Sequence, residues 1–174
     1  QAQALRSLPS DPPPASLTRN SHYWVSNENA LELFKPHVQN KGGVLIGVGT
    51  DQNYLFAGWA KPEILILMDF DQAISDIHQV YSLLFAEAAD PETFMAWWEE
   101  GHSKDVVAKI KAKFTDAAQQ KRILRAYTTA RPTVLGRLKK EKKHFAKLSI
   151  PIFLSDAAQY AYVRDLWEIG RAHV

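Results

Sequence analysis

Cysteine is absent from the 174 residues, which excludes a disulfide framework, thiolate zinc sites and a cysteine nucleophile. Long apolar runs are absent too. The strongest, Ile64-Leu65-Ile66-Leu67-Met68, stops at Asp69, far short of the ~20 residues that span a bilayer. Charge of one sign is scarcely in excess: 21 Lys and Arg face 19 Asp and Glu, a net +2, too small a bias to make nucleic acid the main partner. None of the six histidines falls in a His-Glu-x-x-His motif or pairs at a metal-ligand spacing. No Ser-His-Asp arrangement is legible either, so no metal is expected and no residue is named catalytic. What remains, 46% hydrophobic and 23% charged residues, is the composition of one ordinary globular domain. Neither composition nor the start at Gln1 assigns a compartment, with cytoplasm slightly favoured over export.

Three segments follow from the punctuation. Residues 1–22 hold Pro9, Pro12, Pro13 and Pro14 among Ser and Thr, a composition for a solvated linker arm. Residues 23–167 carry the domain. The end of the chain, residues 168–174, resembles a translated sequencing adapter from Ile169 onward, which implies an artefactual tail and native sequence continuing beyond Trp167. Ser26 is placed to cap a helix with Leu31, Phe34 and Val38 on its buried face, split near Lys35 by Pro36. Val44-Leu45-Ile46-Gly47-Val48 reads as a strand covered on both faces. Residues 53–60 form a short crossover helix ended at Lys61-Pro62, and Ile64–Met68 is a second buried strand. Two such strands joined by a helix are parallel.

Ile74, Ile77, Tyr81, Leu84, Phe85 and Ala88 recur at three- and four-residue spacing, predicting a helix over 72–89. Asp90-Pro91 restarts helix, with Phe94, Met95, Trp97 and Trp98 behind it. Further helices are expected over 104–114, 117–128 and 133–145. A short edge-like strand is expected over 150–154 because Pro151 cannot donate to a ladder. Ser155 is then placed to cap a helix through Trp167.

The stretch with chemical content is Gly47-Val48-Gly49-Thr50-Asp51-Gln52-Asn53, leaving the first strand and entering the crossover helix. Glycines suit a sharp turn where a ligand approaches the backbone. Asp69 lies twenty positions beyond Gly49, at the carboxyl end of the next strand, where a carboxylate can accept from a ribose diol. A dinucleotide site wants a third glycine at position 52, yet Gln52 stands there behind the anionic Asp51, which disfavours NAD and FAD. No Gly-Lys-Ser/Thr follows, so a Walker phosphate loop fails as well. S-adenosylmethionine needs no phosphate cradle, and its amino group could use Asp51 or Asn53. The expected cofactor-binding set is therefore Gly47, Gly49, Asp51, Gln52, Asn53 and Asp69.

The runs Val25-Ser26-Asn27-Glu28, Gly43-Val44-Leu45-Ile46-Gly47-Val48-Gly49-Thr50-Asp51-Gln52-Asn53 and Leu67-Met68-Asp69 resemble a family of uncharacterised bacterial proteins. It is described as a domain of unknown function with a methyltransferase-like Rossmann fold. The likeness continues in patches through His78 and Phe85 and through Phe153-Leu154-Ser155 and Val163-Arg164-Asp165-Leu166. It implies a fold, not an activity: an α/β, Rossmann-like parallel sheet with flanking helices, truncated at its C-terminus. Asp71-Gln72 stands where such proteins tend to carry arginines after the acid. Leu45 replaces the acid that true methyltransferases place before the first turn glycine.

The resulting expectation is a nucleoside-cofactor-binding domain, an S-adenosylmethionine-dependent methyltransferase of unknown substrate. The alternative is a catalytically degenerate scaffold that binds protein or an anionic surface. Its surfaces would be the tryptophans and the run Arg137, Lys139, Lys140, Lys142, Lys143 and Lys147, although that run also reads as a solvated helix face. His78, on an apolar helix face, reads as a hydrogen-bonded packing histidine.

Overall fold

The computed structural model describes residues 21–169; the proline-rich stretch 1–20 and residues 170–174 lie outside the described residues. His22, the last residue of the expected arm, has its ring centroid 4.9 Å from that of Trp24. The final helix runs on to Ile169, into the stretch expected to be a tail.

The predicted βαβ unit is present. Strand β1 (Val44–Val48) and strand β2 (Ile64–Met68) pair in parallel, Val44 opposite Ile64 through Val48 opposite Met68. Two short pieces precede it, a 3-10 turn at Leu31–Phe34 and helix α1 (Lys35–Val38), joined at Lys35 with Pro36 in the first turn of α1. The split anticipated there is real, because Pro36 lacks the donor that would continue the earlier turn. Ser26 does not cap it: its hydroxyl accepts from the Glu28 amide, and the turn begins only after Ala30 in the left-handed conformation. Helix α2 (Gln52–Ala60) crosses between the strands and ends at Lys61, also left-handed.

Helix α3 (Gln72–Glu87) carries the predicted apolar stripe, buried throughout from Ile74 to Phe85. Asp90 caps α4 (Pro91–Ala96) through the Thr93 amide, and α5 (Ser103–Lys113) follows a second 3-10 turn at Glu100–His102. A 31-residue helix, α6 (Ala117–Lys147), comes next, and α7 (Ala157–Ile169) closes the described chain. The fold is mixed α/β and mostly helical. No helix among the described residues is long and apolar enough to cross a membrane.

Three expectations give way to tertiary packing. Two helices were anticipated where α6 runs unbroken through Pro132. Ile123, Ala126, Tyr127, Ala130, Val134, Leu138 and Phe145 form one buried stripe across that position, while Pro132 and Thr128, whose carbonyl loses its partner, face water that can satisfy it. Residues 150–154 are a turn rather than an edge strand. Ile152, Phe153 and Leu154 are fully buried, each worth ~1.5–3 kcal/mol of burial, and the Ser155 hydroxyl donates back to the Ile152 carbonyl. Asp156 therefore caps α7, accepting from the Gln159 amide at 2.8 Å.

The third concerns the sheet, of which the described residues supply two strands. Leu65 and Leu67 are buried, but Val44, Ile46, Val48, Ile64 and Met68 are exposed on the opposite face. The strands were expected to be covered on both faces. The helices described here cover one, where Tyr54, Tyr81, Phe85, Phe94, Trp98, Phe153 and Tyr160 form a continuous aromatic core.

Candidate functional site

At the carboxyl ends of the strands, the glycine turn and Asp69 meet as the spacing predicted. The Gly49 amide donates to Asp69 Oδ2 at 3.2 Å, and the Asp71 amide donates to Asp69 Oδ1 at 2.9 Å. Asp69 thus bridges the turn after β1 and the start of α3. Each carboxylate oxygen has two lone pairs, so each keeps one acceptor direction beyond its amide. Asp69 is half-buried, and its neighbours Met68 and Phe70 are exposed.

The glycines are needed for close packing within the turn. A β-carbon on Gly47 would overlap the Asn53 carboxamide, and Gly49, at φ 81°, would set one 2.8 Å from Gln52 Nε2. Asn53 Nδ2 donates to the carbonyls of Val48 and Gly49, and Gln52 Nε2 donates to Val48 O at 2.7 Å. The amides of Asn53 and Tyr54, which open α2, already donate to Thr50 and Asp51 carbonyls.

Gly47→Ala should cost ~1–3 kcal/mol through overpacking. In a denaturation cycle with Asn53→Ala, the double variant should lose less than the sum of the singles, by about 0.5 kcal/mol or more. Additive losses would mean that Asn53 is not what excludes a side chain at Gly47.

His78 fastens this turn to the core. Its Nε2 lies 2.8 Å from the Gly49 carbonyl and its Nδ1 2.6 Å from the Tyr54 hydroxyl. A carbonyl only accepts, so Nε2 carries the proton and Tyr54 donates to Nδ1 when the ring is neutral. The packing role expected of His78 is the one it has. Burial pushes the Tyr54 hydroxyl well above the usual tyrosine value, with the Asp51 carboxylate adding to the rise.

Asp51 stands apart from the strand-end mouth. It is fully buried, and its carboxylate accepts from the Ser26 amide at 2.6 Å, the Thr50 hydroxyl at 3.0 Å and Arg137 Nε at 3.0 Å. These bonds occupy it as a brace, leaving it unsuited to the ligand amino group it was expected to meet. Arg137, read from sequence as part of a solvated basic run, points inward. Its Nη2 donates to the Glu28 carbonyl and lies 2.8 Å from Glu141 Oε1. Among the described residues, neither Glu141 carboxylate oxygen has a hydrogen-bond partner in good geometry, the Arg137 contact to Oε1 being an ion pair. A cavity of about 80 Å³ opens beside Glu141, walled by Leu31, Phe145, Lys140 and His144. Burial lifts the Glu141 carboxyl to about 7, the Asp51 carboxylate adding to the rise and Arg137 and Lys140 opposing it. Lys139 and Lys142 do lie outward, paired with Glu99 and Glu92.

Of the six residues expected at the site, Gly49 and Asp69 form the mouth, Gly47, Gln52 and Asn53 pack beneath it, and Asp51 belongs to the buried ion cluster. Sequence reading missed Arg137 and Glu141 as a unit. The available signal was an acid at a core position of α6, three residues after Leu138 and four before Phe145. It also missed His22 and Asp71, whose side chains meet at 2.7 Å across 49 residues with no local pattern to link them. Asp71, noted only for standing where arginines were expected, caps α3 through the Ala73 amide.

Among known proteins, residues 23–174 match the family described as Domain of unknown function (DUF7790). No curated protein matches the chain.

Proposed function

We propose that this chain, which belongs to the family Domain of unknown function (DUF7790), binds a nucleoside cofactor of the S-adenosylmethionine type at the carboxyl ends of β1 and β2, as part of a Rossmann-like, methyltransferase-like sheet. The observation that carries this reading is Asp69. Two backbone amides hold its carboxylate in place, and it keeps one free acceptor direction on each oxygen, the demand of a vicinal diol. Exposed Met68 and Phe70 on either side provide an apolar surface for a base. Supporting the larger sheet, the open face of Val44, Ile46, Val48, Ile64 and Met68 has the all-apolar composition of strands that parallel sheets keep buried.

Within this reading Gly49 and Asp69 touch the ligand, while Gly47, Asp51, Gln52 and Asn53 shape and brace the turn. The cofactor would supply an activated methyl group. The chain's own residues would orient it, which is most of what such a transfer asks of a protein.

Calorimetric titration of S-adenosylhomocysteine into the protein tests the proposal. Micromolar binding is expected, weakened about tenfold or more in Asp69→Asn, which leaves a bulky acceptor in place but removes the charge. Unaltered binding in that variant would remove Asp69 from the site. The second reading, a scaffold that retains the fold without a cofactor, draws on Gln52 and Asn53 filling the space over the two glycines. It is favoured if the folded protein binds no S-adenosylhomocysteine.

A further inference from the structure

A second concavity adjoins the strand-end mouth, and its residues have the means to hold a ligand and move a proton. It lies between the segment entering the domain (His22 and Trp24), the first turn of α3 (Asp71, Gln72 and Asp76) and α6 (Arg122 and Arg125), enclosing about 190 Å³. Asp71, on its wall, donates its amide to Asp69, so the groove and the proposed nucleoside site share a border.

Its polar groups are differentiated. His22 Nδ1 lies 2.7 Å from Asp71 Oδ2. A carboxylate only accepts, so Nδ1 carries the proton and the neutral ring keeps its Nε2 lone pair. Asp71 is itself held by the Ala73 amide on its other oxygen, and its side chain is only 10% exposed against 30% for His22. An imidazole oriented by a fixed, buried carboxylate, with a lone pair on its other nitrogen, is the arrangement of a general base. Deeper in, buried Asp76 is matched by Arg122 Nε at 3.2 Å and Gln72 Nε2 at 3.2 Å. Arg125 lines the same groove, is exposed, and has no ion-pair partner among the described residues.

We propose that this groove is an acceptor subsite for a small aromatic monocarboxylic acid bearing a ring hydroxyl. Arg125 takes the carboxylate, Trp24 takes the ring face, and His22 Nε2 accepts the hydroxyl proton with Asp71 as its positioning residue. The size argues for a single ring, since the groove is smaller than the ~300–1,000 Å³ of clefts for drug-sized ligands. A monoanion fits better than a phosphate dianion because Arg125 is the one groove guanidinium without an ion-pair partner among the described residues, whereas Asp71 and Asp76 add negative charge to the same wall. In the proton step the ring O–H bond breaks and Nε2–H forms, leaving a phenolate and an imidazolium beside Asp71. The proposal rests on the nucleoside reading only in naming the groove an acceptor subsite.

The test is titration of 4-hydroxybenzoate into the full chain, followed by calorimetry and by long-range 1H–15N spectra of the histidine rings, with S-adenosylhomocysteine titrated separately. Binding that moves the His22 ring signals is expected, weakened at least about tenfold in Arg125→Ala, with phenyl phosphate binding more weakly. Asp71→Asn, which keeps an acceptor for the Ala73 amide, should abolish the Nδ1–H preference of His22 while the helix content is unchanged; the unchanged helix content is what separates this loss from unfolding, which would release the ring as well. No binding of 4-hydroxybenzoate, binding indifferent to Arg125 and His22, or tighter binding of phenyl phosphate overturns the subsite. If S-adenosylhomocysteine still binds, only the subsite falls; if 4-hydroxybenzoate alone binds as described, the subsite stands and the cofactor reading falls.

Discussion

Arg137→Met should destabilise the protein by about 3–5 kcal/mol, the cost of stranding buried charge. Arg137 is the single guanidinium between two buried carboxylates, touching Asp51 at 3.0 Å and Glu141 at 2.8 Å. Asp51 is fully buried and Glu141 nearly so, so neither can recover water when the cation is removed. Methionine fills most of the volume, which keeps the loss electrostatic rather than a cavity effect. The loss also detaches the segment around Ser26 and Glu28, which the cluster ties to α6 through the Asp51 carboxylate and the Glu28 carbonyl. Urea denaturation measures the cost, and adding Asp51→Asn and Glu141→Gln to Arg137→Met should return a large part of it, since neutral groups need no counter-charge. A loss below about 1 kcal/mol, the range of exposed pairs, would mean that the cluster is solvated.

The second large effect is a dependence of stability on pH that resides in Glu141. Its carboxyl is raised from the usual 4.5 to about 7 by burial and by the neighbouring Asp51 carboxylate, against the pull of Arg137 and Lys140; His144 shares the adjoining cavity. The folded state therefore holds this proton more tightly than the unfolded chain. Stability from this group is complete below pH 4.5 and is lost as pH rises through about 7, because over that window folded Glu141 binds more protons than unfolded Glu141. Glu141→Gln mimics the protonated form at every pH. The variant should match the wild type near pH 4 and exceed it by on the order of 3 kcal/mol at pH 8, roughly 6–12 °C in Tm for a chain of this size. Thermal melts of both proteins from pH 4 to 8 check it. The difference between them isolates Glu141 from the other carboxylates, and a constant offset would place its titration outside the window.

How far the site could be read from sequence depended on sequence distance. The bond from Gly49 to Asp69 spans twenty residues within one βαβ unit, whose strand–turn–helix–strand order places both residues at the same end of the sheet. The contact from Asp51 to Arg137 spans 86 residues and that from His22 to Asp71 spans 49; no periodicity encodes either. Arg137 sits in a run of lysines that are mostly exposed, and composition alone cannot tell which side of α6 a cation faces. In the sequence, Gln52 argues against a pyrophosphate cradle by standing where a dinucleotide site wants a third glycine. That it and Asn53 would fill the space over the glycines was beyond a reading of spacing.

By itself the sequence determined the parallel β1–α2–β2 unit, the amphipathic α3, the aspartate cap of α4 and the meeting of the glycine turn with Asp69. Each of these follows from forces acting within about twenty residues: alternation and periodicity of apolar side chains, proline's missing donor, and capping carboxylates. Tertiary structure decided the rest. It carried α6 through Pro132 because the buried stripe outweighs one lost hydrogen bond on the solvent side, and it made residues 150–154 a buried turn beneath α7. It left one sheet face open, since the described helices all gather on the other, and turned Asp51, Arg137 and Glu141 into a single buried cluster. Burial is a property of the assembled layers, and the protonation and pairing of these groups depend on it.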